Sequence, residues 1–156
     1  MHFGFSYIGA VFLIMLLLPN LLWTKNRPQD YEAYAKNENR LLLWLERIGE
    51  AAVSFTVLFL SDLDLQFISP WVAWFLIACA AMLLYEFYWI RYFRGPKTMK
   101  TFYQSLLGIP VPGAVLPVFA FLCLGIYSKD PILLLCVILL GIGHIGIHWK
   151  HKKEIQ

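Results

Sequence analysis

The sequence predicts an all-α integral membrane protein, a bundle of five transmembrane helices with its N-terminus outside and its C-terminus in the cytoplasm. Sixty per cent of the 156 residues are hydrophobic and 15% are charged, whereas soluble domains average about 25% charged residues. The apolar residues also form five stretches, each long enough to cross a bilayer as a helix of about 20 residues. At this length we expect a single domain.

The five predicted spans lie at about residues 5–23, 41–60, 71–92, 106–127 and 132–149. The first has no basic residue before it and no small-residue cleavage site after it, so we expect a retained helix rather than a signal peptide. Two prolines, Pro110 and Pro112, disfavour a regular helix at the start of the fourth span. We expect this start to pack inside the bundle or line a cavity; a kink without functional consequence is the alternative.

The lysine and arginine residues predict the orientation. Eleven of them fall in the connection 24–40, in the connection after the third span and in the C-terminal tail, and one falls in the turn 128–131. The positive-inside rule places the eleven in the cytoplasm, which also explains the net charge of +3 without a nucleic-acid partner. We expect the protein to lie in a plasma (cytoplasmic) membrane, with the cytoplasmic connection 24–40 forming a short polar helix that has a solvated face.

Ionisable residues inside the spans are the candidate functional residues, because each costs about 2.5–3.5 kcal/mol at a helix centre. Glu46, Glu86 and His144 lie about 8–9 Å from the predicted cytoplasmic ends of their helices, at a rise of 1.5 Å per residue. Glu50 lies deepest, about 15 Å in, where we expect it not to reach water. Residues three apart share a helix face, so Glu50 can pair with Arg47. We predict one ligand-binding or proton-binding site made by Glu46, Arg47, Glu50, Glu86 and His144.

This pattern favours proton-linked binding or transport of a small or amphipathic solute, because a buried glutamate binds either a proton or a cation. A transporter with five short spans would require a homo-oligomer. One alternative is a membrane-embedded, metal-dependent enzyme acting on a lipid-like substrate. A second alternative is a structural or regulatory subunit whose charges only hold helices together.

The sequence favours no cofactor, because the glutamates lack the Glu-x-x-His spacing of di-iron bundles. If a metal is bound, we expect zinc or iron, held by a carboxylate and imidazole site. The residues for that site would be His144, His148, Glu50 and Glu86.

The orientation is testable by labelling an introduced cysteine. Asp64 lies in the predicted outer connection, so we expect a membrane-impermeant thiol reagent to label Asp64→Cys from outside the cell. Lys153→Cys, in the predicted cytoplasmic tail, is the control and should react only after permeabilisation. Labelling of Asp64→Cys from the inside alone would contradict the predicted orientation.

Overall fold

The structure is a computed structural model that describes residues 2–36, 38–65 and 69–155. Within these ranges the chain folds into α-helices joined by short segments, with one 3₁₀ turn at Ser61–Leu63. The α-helices are α1 Tyr7–Thr24, α2 Tyr31–Ala35, α3 Arg40–Phe59, α4 Val72–Arg94, α5 Met99–Phe102, α6 Pro112–Ser128 and α7 Pro131–Ile155. The predicted all-α class is confirmed.

The membrane prediction is confirmed in its coarse form. Helices α1, α4 and α7 are long and apolar enough to cross a membrane, whereas α6 is apolar but has 17 residues. Helix α3 has 20 residues and carries charged side chains along one face. The five long helices coincide within a few residues with the predicted spans, except that α6 begins at Pro112 and α7 continues past residue 149 to Ile155.

The late start of α6 follows from its prolines. Pro112 occupies the first turn of the helix, where a proline costs no hydrogen bond. The residues before it cannot continue the helix, and the backbone turns through positive φ at Leu107, Gly108 and Val111. Val111 is buried, and it lines a small cavity together with Gly113 and Ala114. Leu106 and Val111 are thus packed inside the bundle, whereas Leu107 between them is 80% exposed.

Helices α3 and α7 pack together through glycines that bring their backbones into contact. A Cβ added at Gly143 would overlap the backbone of Glu46, and one added at Gly49 would overlap the backbone of Leu140. Small residues permit such close approach in helix pairs that lack a hydrophobic driving force. The contact fixes the rotation of α7 relative to α3, and with it the direction of the polar side chains on both helices.

One end of the bundle carries most of the basic residues, and we call it the basic end. Helices α1, α4 and α7 finish there and α3 begins there. The two connecting segments at this end, which contain α2 and α5, fold back over the bundle rather than extending into solvent. Phe102 and Tyr103 are buried, and Tyr31 packs edge-on against Trp23 at 4.8 Å between ring centroids.

The opposite end of the bundle is closed by the N-terminal residues. The backbone N–H groups of Gly4 and Ser6 donate to the carbonyl groups of Phe59 and Leu58 at 3.0 and 2.9 Å. The Ser6 hydroxyl donates to Asp64 at 2.9 Å and accepts from Gly9 at the start of α1. These bonds satisfy backbone groups at both helix ends, so α1 and α3 are tied together here.

The glycine contact is testable by a matched pair of substitutions on α7. We expect Gly143→Ala to lower the free energy of unfolding by about 1–3 kcal/mol, because its methyl group would meet the backbone of α3. Gly146→Ala should be neutral or stabilising by up to about 1 kcal/mol, because its methyl group would meet only the flexible end of Leu42. Reversible unfolding in detergent measures both. Equal effects of the two substitutions would contradict the assigned packing.

Candidate functional site

A carboxylate and an imidazole meet where α3 and α7 are closest. Glu46 Oε1 and His144 Nδ1 lie 2.5 Å apart, a charge-assisted hydrogen-bond distance. Both side chains are largely buried, at 13% and 21% exposure. Gly143, next to His144, places α7 against the Glu46 backbone, so the pair is a direct product of the helix contact.

A second histidine extends the pair toward the basic end. His148 lies one helical turn from His144, and the two ring centroids are 4.6 Å apart. The Tyr103 hydroxyl lies 3.0 Å from His148 Nδ1 and 3.0 Å from His151 Nδ1. Tyr103 therefore joins two histidines of α7 from the segment after α5.

We infer the direction of these hydrogen bonds from the carboxylate beside His151. His151 Nε2 lies 3.4 Å from Glu38 Oε1, longer than a well-formed hydrogen bond but close enough for a carboxylate to favour a proton on Nε2. His151 Nδ1 then accepts from the Tyr103 hydroxyl, whose oxygen accepts from His148 Nδ1. His148 Nε2 is left as a nitrogen with a free lone pair.

Burial keeps the hydroxyl groups of Tyr31 and Tyr103, which lie near these histidines, protonated. Burial, together with the carboxylates of Glu38 and Glu46, raises the pKa of Tyr31 to about 12. Burial also raises the pKa of Tyr103 well above its usual range, and nearby Tyr31 and Tyr88 add to that shift. The pKa of Glu38 is raised by burial and by Glu46. Tyr103 thus remains a hydrogen-bond donor at neutral pH.

Aromatic rings enclose the chain of polar groups, with Phe102 at their centre. Phe102 stacks on Trp23 at 5.7 Å between ring centroids and lies 6.0 Å from Trp89 and 6.1 Å from His148. Aromatic pairs at these separations contribute about 0.5–1.5 kcal/mol each beyond the area they bury. The rings hold the α5 segment against the bundle beside His148.

A cavity of about 180 Å³ lies between α1, α3 and α7 beside the Glu46–His144 pair. An apolar cavity of about 150 Å³ is large enough for benzene, so this cavity has room for a small molecule or a hydrated ion. Its polar lining consists of Asn20, Tyr31, Glu38, Glu46, Arg47, Glu50, His144 and His148.

Arg47 and Glu50 form a partly exposed ion pair in the lining of this cavity. Arg47 Nη1 lies 3.6 Å from Glu50 Oε2, as their spacing predicted. The two side chains are 70% and 45% exposed, so Glu50 is not sealed from the surroundings as we expected.

The structure brings four of the five predicted site residues to this cavity: Glu46, Arg47, Glu50 and His144. Glu86 does not line it, and among the described residues Glu86 Oε1 has no hydrogen-bond partner. Sequence reasoning missed Tyr103 and Glu38, which lie in connecting segments. The aromatic residues beside them, Tyr31 and Phe102, were the available indication that these segments are buried.

Three of the lining residues have the chemistry and spacing to hold a metal ion. Glu46, His144 and His148 each offer one ligand atom, and these atoms lie within 4.8 Å of one another. The set differs from the sequence prediction, because Glu46 takes the place that we assigned to Glu50 and Glu86. Two imidazoles and a carboxylate are donors that zinc and other first-row transition ions accept.

Comparison with known proteins gives no relative: no protein family model, no curated protein and no solved structure matches the chain significantly.

The hydrogen bonds of Tyr103 are testable by removing its hydroxyl. We expect Tyr103→Phe to lower the free energy of unfolding by about 1–3 kcal/mol, because two buried imidazole nitrogens lose their partner. Nitrogen NMR of the imidazoles should show His148 losing its preference for a proton on Nδ1. The control is Tyr34→Phe, whose ring also packs against His151 at 6.3 Å, and it should change stability by less than about 0.5 kcal/mol. An unchanged His148 spectrum in Tyr103→Phe would contradict the assignment.

Proposed function

We propose that this chain is a five-span protein of the plasma membrane that binds and carries a small or amphipathic solute in a proton-linked manner. The observation that carries the proposal is the cavity, where carboxylate, guanidinium and imidazole groups from α3 and α7 meet beside aromatic rings. Intramembrane ionisable residues facing a cavity are characteristic of solute and proton pathways.

The proposed topology has the N-terminus outside and the basic end in the cytoplasm. It is supported by the eleven lysine and arginine residues that flank the long helices on that side. Helix α3 is then the second span and α6 the fourth, and the polar face of α3 is accommodated because it lines the cavity. In this topology the cavity is accessible from the cytoplasm.

We propose Glu50 as the group that links solute binding to protons. It lines the cavity and its side chain is 45% exposed, so a solute in the cavity would contact it. The charged and titratable groups facing it are Glu46 and Arg47 on α3, His144 and His148 on α7, and Glu38 from the segment before α3. With one arginine among three carboxylates, an ionised Glu50 favours a cationic solute and a protonated Glu50 releases it.

Closure of the opposite end supports an alternating mechanism. There, a Cβ at Gly9 would overlap the carbonyl group of Val57, so α1 and α3 leave no passage between them. The proposed transport cycle requires α1 to separate from α3 at this point while the cavity closes at the basic end. In this proposed cycle, the present arrangement would be the state in which the cavity opens toward the cytoplasm.

One observation favours a second candidate function, a metal-dependent enzyme with a lipid-like substrate. The potential ligand set of Glu46, His144 and His148 borders the cavity, and α1 and α3 carry exposed apolar residues such as Leu21, Leu22 and Leu41. A lipid-like molecule would reach the site from the side. Proton-coupled flux in liposomes supports the first function, and turnover of a lipid without flux supports the second.

The role of Glu50 is testable in liposomes loaded with a pH-sensitive dye. We expect the reconstituted protein to move protons at a rate that depends on pH, and Glu50→Gln to fold normally with a flat pH profile, because glutamine cannot ionise. Glu154→Gln is the matched control, since Glu154 pairs with Lys150 at 3.7 Å near the end of α7, outside the cavity lining. An unchanged pH profile in well-folded Glu50→Gln would refute the role of Glu50.

A further inference from the structure

We propose that Glu46, His144 and His148 bind one divalent first-row transition ion, such as Zn²⁺ or Co²⁺. The inference rests on the proposed function in that it names this ion as the solute of the same cavity. It is carried by the geometry of three side chains from two helices.

The donor set suits a transition ion better than the abundant divalent cations. Mg²⁺ and Ca²⁺ prefer oxygen ligands alone, whereas imidazole nitrogen suits zinc, iron, cobalt and nickel. Two histidines and one glutamate leave a fourth position for water or for a further carboxylate, as in open zinc sites. The ion is therefore predicted to be exchangeable.

The spacing of the donors is close to what an ion requires. Ligand atoms at about 2.1 Å from a tetrahedral ion lie about 3.4 Å from one another, and the three donors lie within 4.8 Å of one another. Side-chain movements of about 1 Å therefore close the set around an ion. The hydrogen bond between Glu46 and His144 gives way to two bonds with the ion.

The surrounding structure orients the side chains that are proposed to bind the ion. Tyr103 holds His148 through Nδ1, which leaves Nε2 free, and bound histidines usually donate their other ring N–H in this way. The glycine contact at Gly143 fixes the two helices that carry Glu46 and His144. The site is thus built on rigid elements with support behind one imidazole, which limits the cost of ordering it.

The cavity provides both a route and a favourable charge. Glu46, His144 and His148 line it together with Glu38 and Glu50. Three carboxylates against the single guanidinium of Arg47 give the lining a net negative charge when the histidines are neutral, which attracts a cation. A hydrated ion fits in the cavity of about 180 Å³, where the donor side chains can then replace some of its water ligands.

The test is a calorimetric titration of the untagged protein in detergent. Zn²⁺ and Co²⁺ are the ions expected to bind, and Mg²⁺ is the negative control. We expect one Zn²⁺ and one Co²⁺ per chain and no Mg²⁺. His144→Ala and His148→Ala should each weaken Zn²⁺ binding at least tenfold, and Tyr103→Phe should weaken it by about 10–100-fold. The matched control is His2→Ala, because His2 also pairs with a carboxylate, Asp62, at 2.7 Å, but at the opposite end. It should bind Zn²⁺ as the unsubstituted protein does.

X-ray absorption spectroscopy of the unsubstituted, Zn²⁺-loaded protein is a second test that does not depend on whether a variant folds. It should show two imidazole ligands and oxygen ligands on the zinc, and no sulfur ligand. Absence of stoichiometric Zn²⁺ and Co²⁺ binding, sulfur ligation, or binding that survives in folded His144→Ala and His148→Ala would overturn the inference. A pH-dependent proton flux without metal binding would overturn it and leave the proposed function standing. Tight Zn²⁺ binding by these residues without any flux would support the site and refute the transport function.

Discussion

The backbone contact between α3 and α7 is the constraint on which the polar interior depends. Because Gly143 and Gly49 have no side chains, α3 and α7 approach until each glycine lies against the backbone of the other helix. That approach is short enough for Glu46 to reach His144 across the interface. A larger residue at Gly143 would separate the helices and leave an unpaired carboxylate in an apolar setting, which costs several kcal/mol. The glycines and the ionisable residues therefore form one structural unit.

The connecting segments at the basic end extend the series of polar contacts that begins between α3 and α7. Phe102 packs among aromatic rings from α1, α2 and α4, and this packing places the hydroxyl of Tyr103 between two histidines. Glu38, from the other segment, faces the last of these histidines. A continuous series of side chains thus runs from the α3–α7 interface to the surface of the basic end. Loops of a membrane protein rarely bury so much, because their backbone groups need partners; here short helices satisfy them.

The long helices could be predicted from the sequence because length and apolar content determine a span. Depth could be predicted as well: Glu46 and His144 were placed at the same distance from the same end, and they meet. The rotation of α4 could not be predicted, since its apolar residues are spread around the helix and indicate no clear buried face. Glu86 was therefore grouped with residues that it does not join in the cavity lining. The segment of Tyr31 and Glu38 forms the short helix with a solvated face that its polar residues predicted, but the packing of the Tyr31 ring against Trp23 and His151 was not predicted.

Helix α1 differs from the other long helices in how it is held. Its first residues are tied to α3 and to Asp64 by several hydrogen bonds, whereas near the cavity Asn20 links it to Tyr85 at 2.9 Å. Pro19, immediately before Asn20, removes one backbone hydrogen bond from the interior of α1. The helix is thus stiffly anchored at one end and weakened at the depth of the cavity. Bending of α1 is therefore easiest at Pro19, and such a bend would displace the last turn of the helix, whose Trp23 borders the cavity.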